Sequence, residues 1–219
     1  MLKVKLCNAN SLAPSYLATA ICVGNENKYD PDVLESLQKG FDHAIEANHL
    51  SVLEHTSATW MVEGLSRACT HQLVRHRIAS YSQQSQRYCK LGENEDWYVI
   101  PPSIGENELA TKLFHQAMNN CMTAYKELIE IGIPKEDARF VLPNACSTKI
   151  LITMNMRAFI EAAEKRLCSR AQWEIRNLFN LMRDSIKYLY PMVYRLAVPR
   201  CAKKGCIEYK PCGNPWKSN

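Results

Sequence analysis

The sequence predicts an α+β fold, a twisted and mainly antiparallel sheet flanked by helices, in a single domain over residues 1–219. Three observations carry this. A length of 219 residues suits one domain with a sizeable core. Alternating or β-branched runs at residues 2–7, Thr56 to Val62 and Ser147 to Met154 read as strands. Apolar residues recur at helical spacing between them, most extensively from Glu106 to Ile131.

The N-terminal run Met1 to Leu6 alternates like a strand and lacks the apolar block of a signal peptide. A polar turn follows at Asn25 to Asp32, where Asp30 caps a helix opened by Pro31. Leu34, Leu37, Phe41 and Ile45 give that helix its apolar face, and it ends before His49. Met61, Leu65, Ala68, Leu73 and Val74 predict a strand running into a helix that ends near Arg77. Extended chain follows it. Trp97 to Ile100 reads as a strand stopped by Pro101 and Pro102. After the long helix, a short one runs from Ile133-Pro134 to Leu142-Pro143. Asn155 caps a last helix through Phe159, Ala162, Ala163, Arg166, Cys168 and Arg170.

No apolar run approaches the roughly 20 residues of a membrane span, so a cytoplasmic protein without a membrane partner is expected. The net charge of +5 is concentrated at the end of the chain. Six of the 27 basic residues and one of the 22 acidic ones lie in Arg195 to Asn219, leaving 21 of each sign elsewhere. A nucleic-acid binder would spread basic charge over a face, so no nucleic-acid partner is expected. Cys7, Cys22, Cys69, Cys89, Cys121, Cys146 and Cys168 read as small buried hydrophobes. Cys201, Cys206 and Cys212, spaced C-x4-C-x5-C, lack the close pair or histidine of a zinc set, and no metal is expected.

One stretch departs from this balance. From Gly64 to Gly92 there is no Asp or Glu, while Arg67, Arg75, Arg77, Arg87 and Lys90 all fall inside. Such a cluster is either a solvated basic face or an anion site. Serines and glutamines interleaved with the arginines favour an anion with phosphate oxygens, which guanidinium forks and hydroxyls fit. Helical spacing puts Gln72, Arg75 and His76 on one face, and a strand period of two puts Gln83, Ser85 and Arg87 on one side.

Arg75-His76-Arg77, seven residues, Ser85, one residue, Arg87 resembles the signature of the flavin-dependent thymidylate synthases, with Gln72 flanking it as that family does. The resemblance covers about residues 45 to 180. It implies reductive methylation of deoxyuridine monophosphate (dUMP) to thymidine monophosphate (dTMP). Methylenetetrahydrofolate and NADPH would be co-substrates, FAD the cofactor, and the assembly a homotetramer with shared active sites. For dUMP the resemblance implies Gln72, Arg75, Gln83 and Gln84, then Ser85, Gln86, Arg87, Arg139 and Arg166, with Arg166 and Ser85 catalytic. For FAD it implies Ser51, Arg75, His76, Arg77 and Gln83, then Asn155, Arg157 and Glu161. His49 would lie on the folate side.

Glu161 and Arg170 depart from some members, which carry an amide or histidine at the first and histidine at the second. Bland readings stand beside these: His49 as a structural histidine, Arg139 paired with Glu136 in its own helix, Asn155 as a plain cap. A single-strand-binding module stacking bases on Tyr81 and Tyr88 would need aromatics spaced per base along a basic groove, and the sequence shows neither.

Overall fold

Two runs of alternating side chains make the centre of the sheet. In the computed structural model, which describes residues 1–28, 35–89 and 96–216, Ala58, Trp60 and Val62 are buried while the residues between them are not. Thr148, Ile150, Ile152 and Met154 repeat the pattern. The period of two gives each strand one core face.

The elements run β1 (Lys3–Ala9), α1 (Ala13–Cys22), α2 (Glu35–Glu46), a 3-10 turn (Leu50–His55) and β2 (Ser57–Ser66). Then come α3 (Arg67–Leu73), β3 (Ser80–Gln83), α4 (Pro102–Gly105), α5 (Glu108–Glu130) and α6 (Lys135–Ala138). The chain closes with β4 (Ser147–Asn155), α7 (Met156–Arg166), α8 (Trp173–Ser185), α9 (Pro191–Leu196) and α10 (Cys201–Lys204). The antiparallel sheet has the order β1-β2-β4-β3. The α+β class is as predicted.

The residues cluster into two units, and all four strands contribute to both. The first holds Met1–Lys3, Val62–Arg75 and Ser82–Leu151; the second holds Val4–Met61, His76–Tyr81 and Ile152–Asn219. In the first, Met122, Tyr125 and Ala138 form a core patch that Trp97, Leu128 and Leu142 cover. Gly64 is obligatory there. Its φ is +75°, and a Cβ would stand 2.6 Å from the Met1 carbonyl oxygen. In the second, Trp60 stacks on Phe159 and Phe159 on Phe179, while the Trp60 indole donates to Ser185 Oγ at 2.9 Å.

Several expectations are corrected. The helix after β2 ends at Leu73, so Arg75 and His76 lie beyond the face they were expected to share with Gln72. Strand β3 ends at Gln83 and the chain turns, so Gln83, Ser85 and Arg87 share no strand face. Trp97 to Ile100 makes only a single bridge, Tyr98 to Cys146, because Pro101 and Pro102 follow and offer no N–H. Helix α7 stops at Arg166, before Cys168 and Arg170. Helix α1 went unpredicted, although Pro14 in its first turn is a start signal. Cys7 and Cys22 are exposed, on an edge strand and a helix end. The expected cap Asp30, with Pro31, Leu34 and Lys90, lies outside the described residues.

Candidate active site

In the first unit the polar residues after β3 converge on α6. The Gln84 backbone N–H donates to Lys149 O at 2.9 Å, which extends the pairing with β4 one residue past the strand. The chain then turns, and Ser85 Oγ accepts from the Arg87 backbone N–H at 3.1 Å. Arg87 reaches Glu136, its Nε at 2.9 Å and Nη2 at 2.8 Å from Oε2. Arg139 Nε donates to the Glu136 carbonyl at 3.0 Å. Lys135 Nζ, donating to Tyr88 O at 3.2 Å, ties the same turn to α6. Glu136 thus joins Arg87, through its carboxylate, to Arg139, through its backbone carbonyl.

Arg67 adds a third guanidinium. Its Nη2 donates to Gln84 O at 2.6 Å, and its buried Nε has no hydrogen-bond partner among the described residues. Burial, and next to it the charge of Arg139, push the Arg67 pKa down. Gln83 points into the sheet instead: its Nε2 donates to Thr70 Oγ1 at 3.1 Å and Thr148 Oγ1 at 3.4 Å. Gln86 is half-buried in the turn, and Gln72 half-buried on α3.

The second unit assembles a different set. Arg166, the last residue of α7, donates from Nε to His76 Nε2 at 2.9 Å. Tyr81 Oη donates to the His76 carbonyl at 3.0 Å, and the His76 ring lies 6.2 Å from that of Phe179. Burial first, then the charges of Arg166 and Lys165, lower the His76 pKa to about 4. The ring is therefore neutral at pH 7, with its proton on Nδ1, because Nε2 accepts. Asn155 caps α7 by accepting from the Ala158 N–H at 2.8 Å. Arg157 is held between Glu161, 3.0 Å from Nε, and Glu54, 2.6 Å from Nη1. Glu54 stands on the 3-10 turn beside His49 and Ser51, both exposed. The backbone bends into that turn at Asn48 (φ 63°), and the His49 N–H donates to Ala44 O at 2.8 Å, closing α2.

A family model described as thymidylate synthase complementing protein matches residues 6–192. The chain is 49% identical over 167 residues to the flavin-dependent thymidylate synthase of Geobacter sulfurreducens, covering 76% of this chain and 72% of that one. To that of Clostridium tetani it is 43% identical over 190 residues, covering 80% and 76%. This chain is a flavin-dependent thymidylate synthase family member. Its fold is also that of Helicobacter pylori thymidylate synthase X, solved with FAD and dUMP: TM-score 0.72 at 22% identity, covering 90% of this chain and 99% of that one.

For a flavin-dependent thymidylate synthase, the placements divide the residues expected from the sequence into groups. Ser85 and Arg87 share a turn that Glu136 ties to Arg139; Arg166 and His76 come together; His49 and Ser51 lie at the start of the 3-10 turn, Asn155 caps α7, and Arg157 and Glu161 lie on α7. Arg75 and Arg77 are exposed, and no hydrogen bond or ion pair engages either guanidinium among the described residues. The sequence reading missed two residues at this site. Glu136 was taken only as an intrahelical partner of Arg139, and Arg67 was noted as charge without a role. The acid-free run was the signal for Arg67; Glu136 lies 44 residues beyond that run and has none.

Two alternatives for the chemistry lose ground. Among the described residues no hydrogen bond joins the Ser85 hydroxyl to a histidine or carboxylate that would activate it as a nucleophile. The Cys146 thiol, buried among apolar groups, is pushed up to about 11 and stays protonated.

The tail packs on the turn after α7. Arg170 donates to the Lys210 carbonyl, and Cys201 Sγ accepts from the Trp216 N–H at 3.5 Å. A cavity of about 1020 Å³ within the second unit is lined by Arg166, Arg170 and Arg176 together with Cys206, Cys212 and Trp216. Among the described residues no group of three His, Cys, Asp or Glu is arranged to hold a metal, and no helix is long and apolar enough to cross a membrane.

Proposed function

We propose that this chain reductively methylates dUMP to dTMP, with methylenetetrahydrofolate donating the carbon and NADPH reducing a bound FAD. The observation that carries the reading is that Glu136 of α6 ties the turn holding Ser85 and Arg87 to Arg139 at the end of that helix. Arg87 and Glu136 are about half exposed, and an ion pair in that setting is worth about 0.2–1 kcal/mol. A phosphate dianion offers more oxygens and more charge than one carboxylate, so it displaces Glu136 from Arg87. The Ser85 hydroxyl proton and the Arg139 Nη groups complete the cradle, and Arg67 adds positive potential behind it.

Arg166 meets the pyrimidine. Carbon 5 of uracil is a weak nucleophile until negative charge develops on the ring, and without a thiol adding at carbon 6 that charge needs an electrostatic partner. A guanidinium stays protonated and presents planar donors to it. FAD, when bound, supplies the hydride chemistry. Arg75 and Arg77, exposed, in an acid-free run and unpaired among the described residues, suit its pyrophosphate. Arg157 suits it less, since Glu54 and Glu161 already neutralise it. His49 takes the folate side, and Ser51 and Asn155 the flavin side. The functional assembly is a cytoplasmic homotetramer of single-domain chains whose sites are shared between chains.

The test is ligand discrimination. With Arg87→Ala, dUMP binding weakens about tenfold or more, since charge-assisted bonds are worth about 1.5–3 kcal/mol each. Deoxyuridine, which has no phosphate, binds as before. Equal losses for both ligands would remove the phosphate assignment.

A further inference from the structure

We propose that Thr70 and Thr148 are positioning residues for Gln83, taking both protons of its amide nitrogen so that dUMP meets only its oxygen. This rests on the reading of Gln83 as a contact of dUMP; what is added is how one end of the amide is chosen. The observations lie within the first unit. Gln83 Nε2 donates to Thr70 Oγ1 at 3.1 Å and to Thr148 Oγ1 at 3.4 Å. Both threonines are buried, Thr70 on α3 and Thr148 on β4. Thr70 Oγ1 in turn donates to the Arg67 carbonyl at 3.0 Å, and Thr148 Oγ1 reaches the Lys149 carbonyl at 3.5 Å. The backbone beside Gln83 is tied to the same two elements, since Arg67 Nη2 holds Gln84 O and the Gln84 N–H donates to Lys149 O.

The direction of these bonds follows from what each group can do. A carbonyl oxygen only accepts, so the single hydroxyl proton of each threonine is spent on the backbone. Towards Gln83 each hydroxyl can then only accept. That places the amide nitrogen against the threonines, with both its protons used, and turns Oε1 away as an acceptor. Among the described residues no hydrogen bond engages Oε1. A ligand group at Oε1 must therefore be a donor. Gln83 lies two residues before Ser85, which opens the turn assigned to the phosphate. Next to the phosphate along dUMP is the deoxyribose, whose one free hydroxyl is on carbon 3′. That hydroxyl is the donor for Oε1. The threonines fix the contact without touching the nucleotide themselves.

The experiment compares dUMP with 2′,3′-dideoxyuridine monophosphate, which lacks only that hydroxyl, by titration calorimetry on FAD-loaded protein. The parent should bind the dideoxy nucleotide about tenfold more weakly, because the fixed oxygen is left without its donor. In Thr70→Val, and more so with Thr148→Val added, the amide is free to turn and the ratio should fall to about twofold or threefold. Thr70→Ser, which restores a hydroxyl, should restore the parent ratio. A threonine needed only for folding would weaken both nucleotides alike, so a parent ratio kept in both valine variants overturns the proposal. So does a parent that binds the two nucleotides equally. Hydrogen exchange in the unsubstituted holoprotein decides the matter if the valine variants do not fold. Both Gln83 side-chain amide protons should exchange with water about tenfold or more slower than those of an exposed glutamine, and exchange at the exposed rate is fatal. The two levels separate cleanly. A parent that binds no dUMP ends the functional reading itself; a parent that binds it, with valine variants that keep its ratio, loses only the threonines' role.

Discussion

Glu136 has a charge that the substrate must displace, and that makes it the most informative single position in the first unit. Its carboxylate occupies Arg87 at 2.8 Å. Glu136→Gln removes the competing anion but leaves the carbonyl that orients Arg139. Binding of dUMP should therefore tighten, up to about fivefold given the 0.2–1 kcal/mol of an exposed pair. Titration calorimetry at low salt measures it, and unchanged or weaker binding would mean that Glu136 does not compete for the phosphate.

His76 gives a pH prediction of defined sign. Its pKa is about 4 in the fold against 6.5 unperturbed, so the folded chain binds fewer protons here than the unfolded one. Its contribution to stability is present above pH 6.5 and is lost as pH falls towards 4. The charged groups acting on it, Arg166 and Lys165, both oppose protonation, and Tyr81 at its carbonyl is neutral throughout, its phenol pushed up to about 12 by burial. The gap in urea midpoint between the parent and His76→Phe should shrink on acidification from pH 7 to 4.5. A constant gap would show that His76 is not kept neutral by the fold.

At the scale of elements, the N-terminus of α7 carries two roles at one residue. Asn155→Ala removes the cap and should cost about 1 kcal/mol in denaturant unfolding. Asn155→Asp keeps the cap and adds a negative charge, so it should fold as stably as the parent but retain less FAD. Full FAD occupancy in Asn155→Asp would leave Asn155 as a cap alone. Such elements were legible wherever periodicity is long. Helix α5, Glu108–Glu130, lies within the predicted 106–131, and β4 was placed to within a residue at its end. Helix and strand ends were not. Nothing in Val74, Arg75 and His76 forbids another helical turn, yet α3 ends at Leu73.

At the scale of the whole molecule, the motif residues were legible as a set but not as a geometry. The acid-free run and the spacing Arg-His-Arg to Ser to Arg single out His76, Ser85 and Arg87 as candidates. They did not show that Arg87 meets Arg139 through Glu136, or that His76 meets Arg166, because those pairs join residues 49 and 90 positions apart. Arg87 and Arg139 both meet Glu136 within one chain, which sets the outcome of a mixing experiment. With sites shared in a tetramer, Arg87→Ala and Arg139→Ala should not rescue each other. Arg87→Ala and Arg166→Ala, altered in different clusters, should. Rescue in the first pair, or none in the second after verified subunit exchange, would contradict this division.

The central claim is that this chain makes dTMP with a flavin and places Arg166 at the pyrimidine. The most direct measurement follows dTMP formation from dUMP, methylenetetrahydrofolate and NADPH by FAD-loaded parent and Arg166→Ala proteins. The parent should form dTMP only when FAD is present. Arg166→Ala should keep its FAD and oxidise NADPH, yet form dTMP about a hundredfold more slowly or worse, the scale for losing one charge-stabilising donor. A FAD-loaded parent that forms no dTMP, or an Arg166→Ala protein that forms it at the parent rate, would contradict the account.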